Sequence, residues 1–361
     1  MDFSFSPEQD QLRAQARSFL EKSYPLARLA EIATSEDGWD RASWAELARL
    51  GWTGASISEA QGGAGLSFVE EGIVFEELGR ALYAGPYFST VALALPALGC
   101  APDLLAKVAS GAFTATFASP AANASGAAVD GRRDGDRWLL RGEADLVPDA
   151  GLVEAFVVPA RGPDGIGLYL AKRHGARPRV NVLDTVDATR RLGRVTFEDD
   201  DARLLAAPPA AAKIIAGTRR RALTALALEA VGVASQALAI GVEHAKSREQ
   251  FGRPIGAYQA VSHKLADTYV ETELARSLAY WAAWCIAEDD GQAELAASAA
   301  KTYAAEGAVA ACERAIQVHG GMGFTWDHPL HRYYKRALWI ESFDRSGAAH
   351  RADIAQVLLG G

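Results

Sequence analysis

A block of short β-rich runs set between two long helical stretches constrains this chain more than any other feature. From about Gly111 to Asp201 the runs FTATFAS, RWLLRGEADLV, EAFVVPA, GIGLYLA and RLGRVTFED are separated by Gly, Pro and Asp turns, the pattern of strands in a small sheet. Before the block, PEQDQLRAQARSFLEK opens behind a Ser6-Pro7 cap, and WDRASWAELARLGW repeats apolar residues three and four apart. SEAQGGAGLSFVEEGIVFEELGRALY then leads from a Gly62-Gly63 loop into a further amphipathic helix. After an Ala/Pro stretch over 206–212 the helical spacing returns almost to the C-terminus, interrupted at 252–256, 289–291 and 320–329. The spacing predicts an N-terminal helical domain over 1–110, a middle β domain over 111–205 and a C-terminal antiparallel helical bundle over 206–361.

With 361 residues, 49% of them hydrophobic, there is enough apolar surface for the cores of two or three such domains. The net charge of -8 supplies no basic stripe, so nucleic acid is not an expected partner. No uninterrupted apolar run reaches the roughly 18 residues that cross a bilayer, and the opening MDFSFSPEQDQLRAQ has neither a basic nor a hydrophobic leader segment. A cytoplasmic location without membrane partners is the expectation. Cys100, Cys285 and Cys312 have no metal-ligand spacing and read as buried thiols. Neither an internal repeat nor a low-complexity tail is present, and the Ala-rich stretches keep helical spacing, which points to close helix packing.

Two segments carry residues suited to holding a nucleotide. In SREQFGRPIGAYQAVSHKLADTYVETELARS, Arg248 and Phe251 stand at one helix end, the chain turns through Gly252 and Pro254, and another helix begins near Ala257. A guanidinium there can pair bidentately with a phosphate and the aromatic can cover a ring; the plainer alternative is a surface arginine with a buried phenylalanine. In QVHGGMGFTWDHPLHRYYKRALWIESFDRSGAAHRADIAQ, Gly320 and Gly321 either cap a helix or let backbone amides approach an anion. This is neither a Walker loop nor a Rossmann fingerprint, because the lysine and the strand-to-helix setting are missing.

Both segments, in this order and roughly 65 residues apart, resemble the FAD-dependent acyl-CoA dehydrogenase family. In that family the Arg-x-x-Phe-Gly turn and the Gln-x-x-Gly-Gly-x-Gly-Phe loop reach across a dimer interface to the FAD of the neighbouring subunit. The resemblance therefore implies that Arg248 and Phe251 meet a neighbour's pyrophosphate and flavin, and that Gln317, Gly320 and Gly321 meet its adenosine-diphosphate portion. It extends through EELGRALYAGPY, the β-rich middle and DATRRLGRVTFED, and so covers nearly the whole chain. It also implies a mainly α fold with a central β domain: an N-terminal helical domain, a middle β-barrel-like domain and a C-terminal four-helix bundle. An acyl-CoA substrate, an electron-transfer flavoprotein as acceptor, and a homotetramer or an α2β2 heterotetramer come with the family as well.

The family's reaction needs a carboxylate that removes the α-proton of the thioester while hydride leaves the β-carbon for the flavin. By resemblance this is a Glu about fifteen residues beyond the Pro that follows the Gly-rich loop, and the matching position here is Asp344, followed by Arg345 and Ser346. The shorter carboxylate works only if backbone or substrate moves closer; the alternative is an ion pair with Arg345 or Lys335. Other members place the base at the start of the first long C-terminal helix, where TRRRALTALALEAVG holds Arg221, Ala222 and Leu223, with Glu229 two turns further as the weaker candidate.

Members that hold their own flavin carry a Thr-Glu-Pro-like stretch early in the β domain and a Trp-Ile-Thr/Ser stretch later. Those places read TFASPAAN and LVPDAG here. This asymmetry, with HPLHRYYKRA and ALTALALEAVGVASQAL, resembles the shorter subunits of the two-gene heteromeric acyl-CoA dehydrogenases of actinobacteria and proteobacteria, several of which degrade steroid side chains. The resemblance implies α,β-desaturation of an acyl-CoA thioester by this chain within an oligomer; the alternatives are completion of a partner's FAD site without catalysis, or a flavin oxidase or monooxygenase on the same fold. His319, His328, His331 and His350 lack zinc-site spacing and read as helix-end or interface residues. Trp281, Trp284, Trp326 and Trp339 read as core or interface anchors, and Ser119-Pro120 and Ser125 have no nucleophile elbow, which speaks against a hydrolase.

Overall fold

The structure is a computed structural model that describes residues 5–118 and 128–360. Ser119-Pro120, Ser125 and the end of TFASPAAN lie outside the described residues. The helices α1 (Pro7–Ser23), α2 (Leu26–Thr34), α3 (Arg41–Arg49) and α4 (Phe68–Arg80) come first. A π-helical segment at Phe88–Ala94 follows, then α5 (Leu95–Leu98) and α6 (Pro102–Ala109). The strands are β1 (Ala115–Phe117), β2 (Val129–Asp134), β3 (Arg137–Pro148), β4 (Ala155–Gly162), β5 (Gly165–Lys172), β6 (Arg179–Leu183) and β7 (Leu192–Ala206). Helices α7 (Ala210–Ser247), α8 (Gln259–Ala287), α9 (Ala293–His319), α10 (Leu330–Ser342) and α11 (Gly347–Leu359) complete the chain. The expected mainly α fold with a central β region is therefore the observed one. Two compact units form: Met1–Ala30, Phe68–Tyr83 and Leu223–Gly361 make one, Glu31–Ser67 and Ala84–Ala222 the other.

In the second unit β4 pairs with both β2 and β5, and β2–β3–β7–β5 run between them, so the sheet closes on itself as a small barrel. The closing β2–β4 contact is parallel, at Asp130 and Arg161, while the other pairs around the ring are antiparallel. Strand alternation turns Phe156 and Val158 of β4 and Val195 and Phe197 of β7 inward, with Phe156 and Phe197 edge to face at 6.3 Å.

In the first unit α1 starts as the sequence predicts. Ser6 accepts a hydrogen bond from the Gln9 amide (3.2 Å), its own amide donates to the Gln9 side chain (3.0 Å), and Pro7 occupies the first turn. α8 and α9 pack through alanines such as Ala275, Ala279 and Ala282 on one and Ala297, Ala300, Ala304 and Ala308 on the other, all buried. α7 departs from expectation: by length and composition it could cross a membrane, but 67% of its most apolar stretch is buried inside the protein, as in a core helix. Alanines spread evenly along it raise the mean hydropathy without forming a run of large apolar residues. Cys285 and Cys312 are buried as expected, whereas Cys100 is exposed, because it lies in the turn between α5 and α6 and not on a packed face.

The closest approach in this unit is between α4 and α7. A Cβ added at Gly79 would lie 2.2 Å from the Glu229 carbonyl oxygen, and one at Gly232 would lie 2.0 Å from the Glu76 carbonyl oxygen. Gly232 in the middle of α7 and Gly79 in the last turn of α4, residues ordinarily unfavourable in helices, thus let the two backbones touch. Adjacent to this crossing α4 buries two consecutive carboxylates. Glu76 takes Arg13 of α1 (2.8 Å), Arg276 of α8 (3.1 Å) and the Tyr280 hydroxyl (2.8 Å), while Arg17 of α1 forks onto Glu77 at 3.0 and 2.7 Å. Burial alone would raise the Glu76 carboxyl, but Arg276, Arg13 and Tyr280 outweigh it and hold it below the ordinary range.

Gly232→Ala forces the backbones apart and is expected to lower unfolding stability by about 2–3 kcal/mol. Gly307→Ala, on α9 with no atom within 4 Å of the added methyl, is expected to be neutral or stabilising by up to ~1 kcal/mol. Urea midpoints of the two variants check this; equal midpoints would remove the glycine contact as a constraint.

Candidate functional site

α7 delivers the first predicted segment. After Ser247 the chain makes a two-residue ladder, Glu249–Gln250 against Arg253–Pro254, joined through Phe251 at φ 53° and Gly252 at φ 80°. Positive φ at both central residues is the type I′ hairpin geometry, which glycine adopts freely and phenylalanine only against steric cost. The Tyr258 hydroxyl donates to the Gln250 carbonyl (3.0 Å), and the Arg253 guanidinium lies 4.1 Å from the Tyr258 ring, so the turn is braced. The result is a Phe251 ring that is 93% exposed, contrary to the plainer expectation of a buried phenylalanine. Arg248 is exposed too, and its guanidinium has no ion pair among the described residues.

α9 delivers the second segment. Gln317 is exposed in its last turn, and Gly320 at φ 63°, ψ -141° breaks the helix into the 3-10 turn Gly320–Phe324. A Cβ at Gly320 or Gly321 would meet nothing within 4 Å, whereas Gly323 is pressed on the Ile316 carbonyl. The loop is thus anchored at Gly323 and open at Gly320 and Gly321, with Met322, Phe324 and Trp326 exposed just beyond.

Three imidazoles join the two segments. His244, one turn before Arg248, stacks on His319, the last residue of α9, with ring centroids 4.1 Å apart, and His328 leans on His319 at 4.4 Å. The His319 Nδ1 lies 2.8 Å from the Ala315 carbonyl oxygen. Burial first and the neighbouring His319 and Arg248 second lower the pKa of His244; burial, His319, His244 and His331 lower that of His328. The sequence reading treated the histidines as separate helix-end residues and did not include His244. The available signal was their position: His319 and His328 lie inside the second segment and His244 stands three residues before the first.

An unpaired guanidinium, an exposed aromatic and an open Gly-Gly backbone on one braced surface fit the diphosphate and ring of a dinucleotide such as FAD. The anionic diphosphate would meet Arg248 and the loop amides, and Phe251 would lie against a ring.

Asp344 lies elsewhere in the same unit, in the turn between α10 and α11, at φ 69°. Its Oδ2 is 3.4 Å from Nε2 of the fully buried His350 and 3.6 Å from Nε of Arg345, which also pairs with Asp353. The side chain keeps only 14% exposure. Glu229 is paired with Arg336 in the interior, and Arg336 also donates to the Tyr83 carbonyl (3.3 Å), so this carboxylate is committed to packing. In the second unit Arg221 donates to the Val91 carbonyl (3.2 Å) and the Ser56 hydroxyl (2.9 Å), which places a cation where a base was sought. Within LVPDAG, Asp149 is buried and accepts from Ser89 at 2.7 Å, while Leu146 at φ 53° is half exposed.

Two family models match the chain, the acyl-CoA dehydrogenase N-terminal domain over residues 6–116 and the C-terminal domain over residues 217–359. Acyl-CoA dehydrogenase IpdE2 of Mycobacterium tuberculosis is 34% identical over 91% of this chain and 91% of its own length. Among solved structures, the Tcur3481-Tcur3483 steroid ACAD superposes with a TM-score of 0.87 at 34% identity, covering 98% of each chain. The ChsE4-ChsE5 complex from Mycobacterium tuberculosis gives 0.89 at 27% identity over 100% of both.

Glu229→Gln leaves Arg336 buried without its counter-charge, so a loss of about 3–5 kcal/mol in unfolding stability is expected. A variant of unchanged stability in denaturant titration would return Glu229 to the list of candidate bases. For the imidazole stack the folded-state pKa of His244 and His328 is depressed, so the stack's contribution is full above the ordinary histidine value of about 6.5 and is lost as pH falls below it. Thermal midpoints of the wild type are expected to fall between pH 7.5 and 5.5 more steeply than those of a His244→Gln/His328→Gln variant; parallel profiles would oppose the coupling.

Proposed function

The chain belongs to the acyl-CoA dehydrogenase family, FAD-dependent oxidoreductases of acyl-CoA CH–CH bonds, and on that premise we propose that it completes the flavin site of a second acyl-CoA dehydrogenase chain in an α2β2 assembly. FAD supplies the hydride acceptor for α,β-desaturation of the thioester. Arg248 holds the diphosphate by charge-assisted hydrogen bonds, Gly320 and Gly321 present amides to it, Gln317 binds the adenosine side, and Phe251 shields a ring from water. The observation that carries this reading is that all five residues are exposed, while the stacked His244, His319 and His328 join the ends of the two segments that carry them. A neighbour's cofactor is the kind of ligand an outward-facing half-site serves.

Support for a heteromeric assembly comes from the relatives: a complex of two chains and a steroid ACAD are among those most similar, and a steroid-derived acyl-CoA is the proposed substrate class. An electron-transfer flavoprotein is the proposed acceptor of the electrons. In this reading the α-proton is removed by the partner chain, since Asp344 is turned toward His350 and Arg345. A second reading keeps Asp344 as the base in a homotetramer. It is favoured by His350 Nε2, 3.4 Å from the Asp344 carboxylate, which can hold the proton once taken.

Flavin absorbance per chain and acyl-CoA turnover, measured on the chain alone and co-purified with its second subunit, test the proposal. Alone, the expected loading is well below one FAD per chain with no turnover; together, both appear. Arg248→Ala then weakens FAD retention by about tenfold or more, as loss of a charge-assisted bond predicts, and Asp344→Asn leaves turnover intact. A chain that carries one FAD and turns over alone, with Asp344→Asn inactive, sinks the partner reading in favour of the second.

A further inference from the structure

A cavity of about 280 Å³ opens in the first unit between the C-terminal end of α1 and the end of α4, with Gln236 of α7 and Tyr333 of α10 on its far wall. Leu20, Tyr24, Leu26 and the Tyr333 ring give it mostly apolar walls. None of its lining residues belongs to the flavin-facing surface.

Two arginines converge on this cavity, and only one is neutralised. Arg17 spends its fork on Glu77, which is itself buried. Arg80, at the last turn of α4, makes no ion pair or side-chain hydrogen bond among the described residues, although its backbone carbonyl accepts from the Tyr333 hydroxyl at 2.9 Å. Glu21 stands at the exposed rim without a bond to it. Burial first, and the positive Arg17 second, disfavour the charged form of Arg80, with Glu77, Tyr333 and Glu21 only partly compensating. A guanidinium partly withdrawn from water and facing a like charge is stabilised by an anion that comes to it.

We propose that this cavity binds a small organic carboxylate, its carboxylate forked on Arg80 and its apolar body against Leu20, Tyr24 and Tyr333. A planar fork suits a carboxylate, and Gln236 offers an amide to its second oxygen lone pair. The walls favour a short hydrocarbon body over inorganic phosphate, which would leave them bare. The volume lies at the lower limit of ordinary ligand sites, about 300 Å³, which fits a short-chain acid and leaves no room for a nucleotide.

Ligand-observed saturation-transfer NMR on the full chain, with hexanoate as the probe, tests the site. Hexanoate is expected to bind saturably, about tenfold or more weaker in Arg80→Gln, and not at all in Leu20→Trp, whose larger side chain fills the cavity that Leu20 lines. Circular dichroism melts of both variants establish that they are folded, and Leu20→Trp decides the matter if Arg80→Gln is not. Hexanol is expected to bind at least tenfold more weakly than hexanoate, and inorganic phosphate not to displace it. No saturable hexanoate binding, equal binding by Leu20→Trp, a hexanol affinity matching that of hexanoate, or displacement by phosphate would each overturn the assignment.

Discussion

The backbone-to-backbone contact of α4 and α7 at Gly79 and Gly232 is the constraint on which the rest of the helical unit depends. Once the two helices touch, the side chains flanking the contact have no route to water, and their charges must be met inside. Glu76 and Glu77 on one flank are met by Arg13, Arg17 and Arg276; Glu229 on the other is met by Arg336. Each pair adds a helix, α1 and α8 through the first set and α10 through the second. Buried ion pairs of this kind contribute little net stability over apolar packing, but they penalise any arrangement that separates the partners. The interior therefore specifies one placement of five helices more than it strengthens them.

That placement is transmitted outward along α7. Glu229 in the buried frame lies within α7, and exposed Arg248 immediately follows its last residue, Ser247, about 28 Å further on at the usual rise per residue. At the outer end the imidazole stack fastens α7 to the end of α9, so the Arg248 turn and the Gly320–Gly321 loop are positioned by the same frame. Phe251 and Gly320 both hold positive φ there, Phe251 against the steric preference of its side chain. Strain kept at an exposed aromatic makes no sense for the stability of the isolated chain. It does for a surface whose ligand is brought by a neighbour.

The helix–sheet–helix order was legible because period-3.6 and period-2 patterns alternate along the chain, and the two segments proposed to meet the flavin stood out because glycine, arginine and aromatic residues gather at helix ends. Closure of the sheet was not, since it depends on one parallel contact between β2 and β4, and a single pairing leaves no periodic trace. The plainer alternative, a buried Phe251, came from average behaviour and is reversed by the turn that Gly252 enables. Cys100 is exposed for the same kind of reason, since a turn removes a residue from the packed face that its chemistry favours. Glu229 looked like a spare carboxylate because Arg336, its partner, is 107 residues away in sequence.

On the proposed reading, Asp344 keeps a charge while its surroundings, His350 and Arg345, change the task. Shortening a glutamate to an aspartate withdraws the carboxylate by about one bond, ~1.5 Å, and a proton acceptor works only within about 3 Å of its proton. Such a loss is recoverable if the backbone advances toward the substrate. Here the left-handed turn instead brings the carboxylate beside His350 in the interior and next to Arg345, which is drawn toward Asp353 on α11. The same turn also starts α11, whose first residues are capped by the Ser346 hydroxyl accepting from the Ala349 amide. A carboxylate that stabilises the entry to a terminal helix is useful in every copy of the chain, whether or not a thioester is present. Selection on that role alone would retain an acidic residue at this place after the base had passed to another subunit.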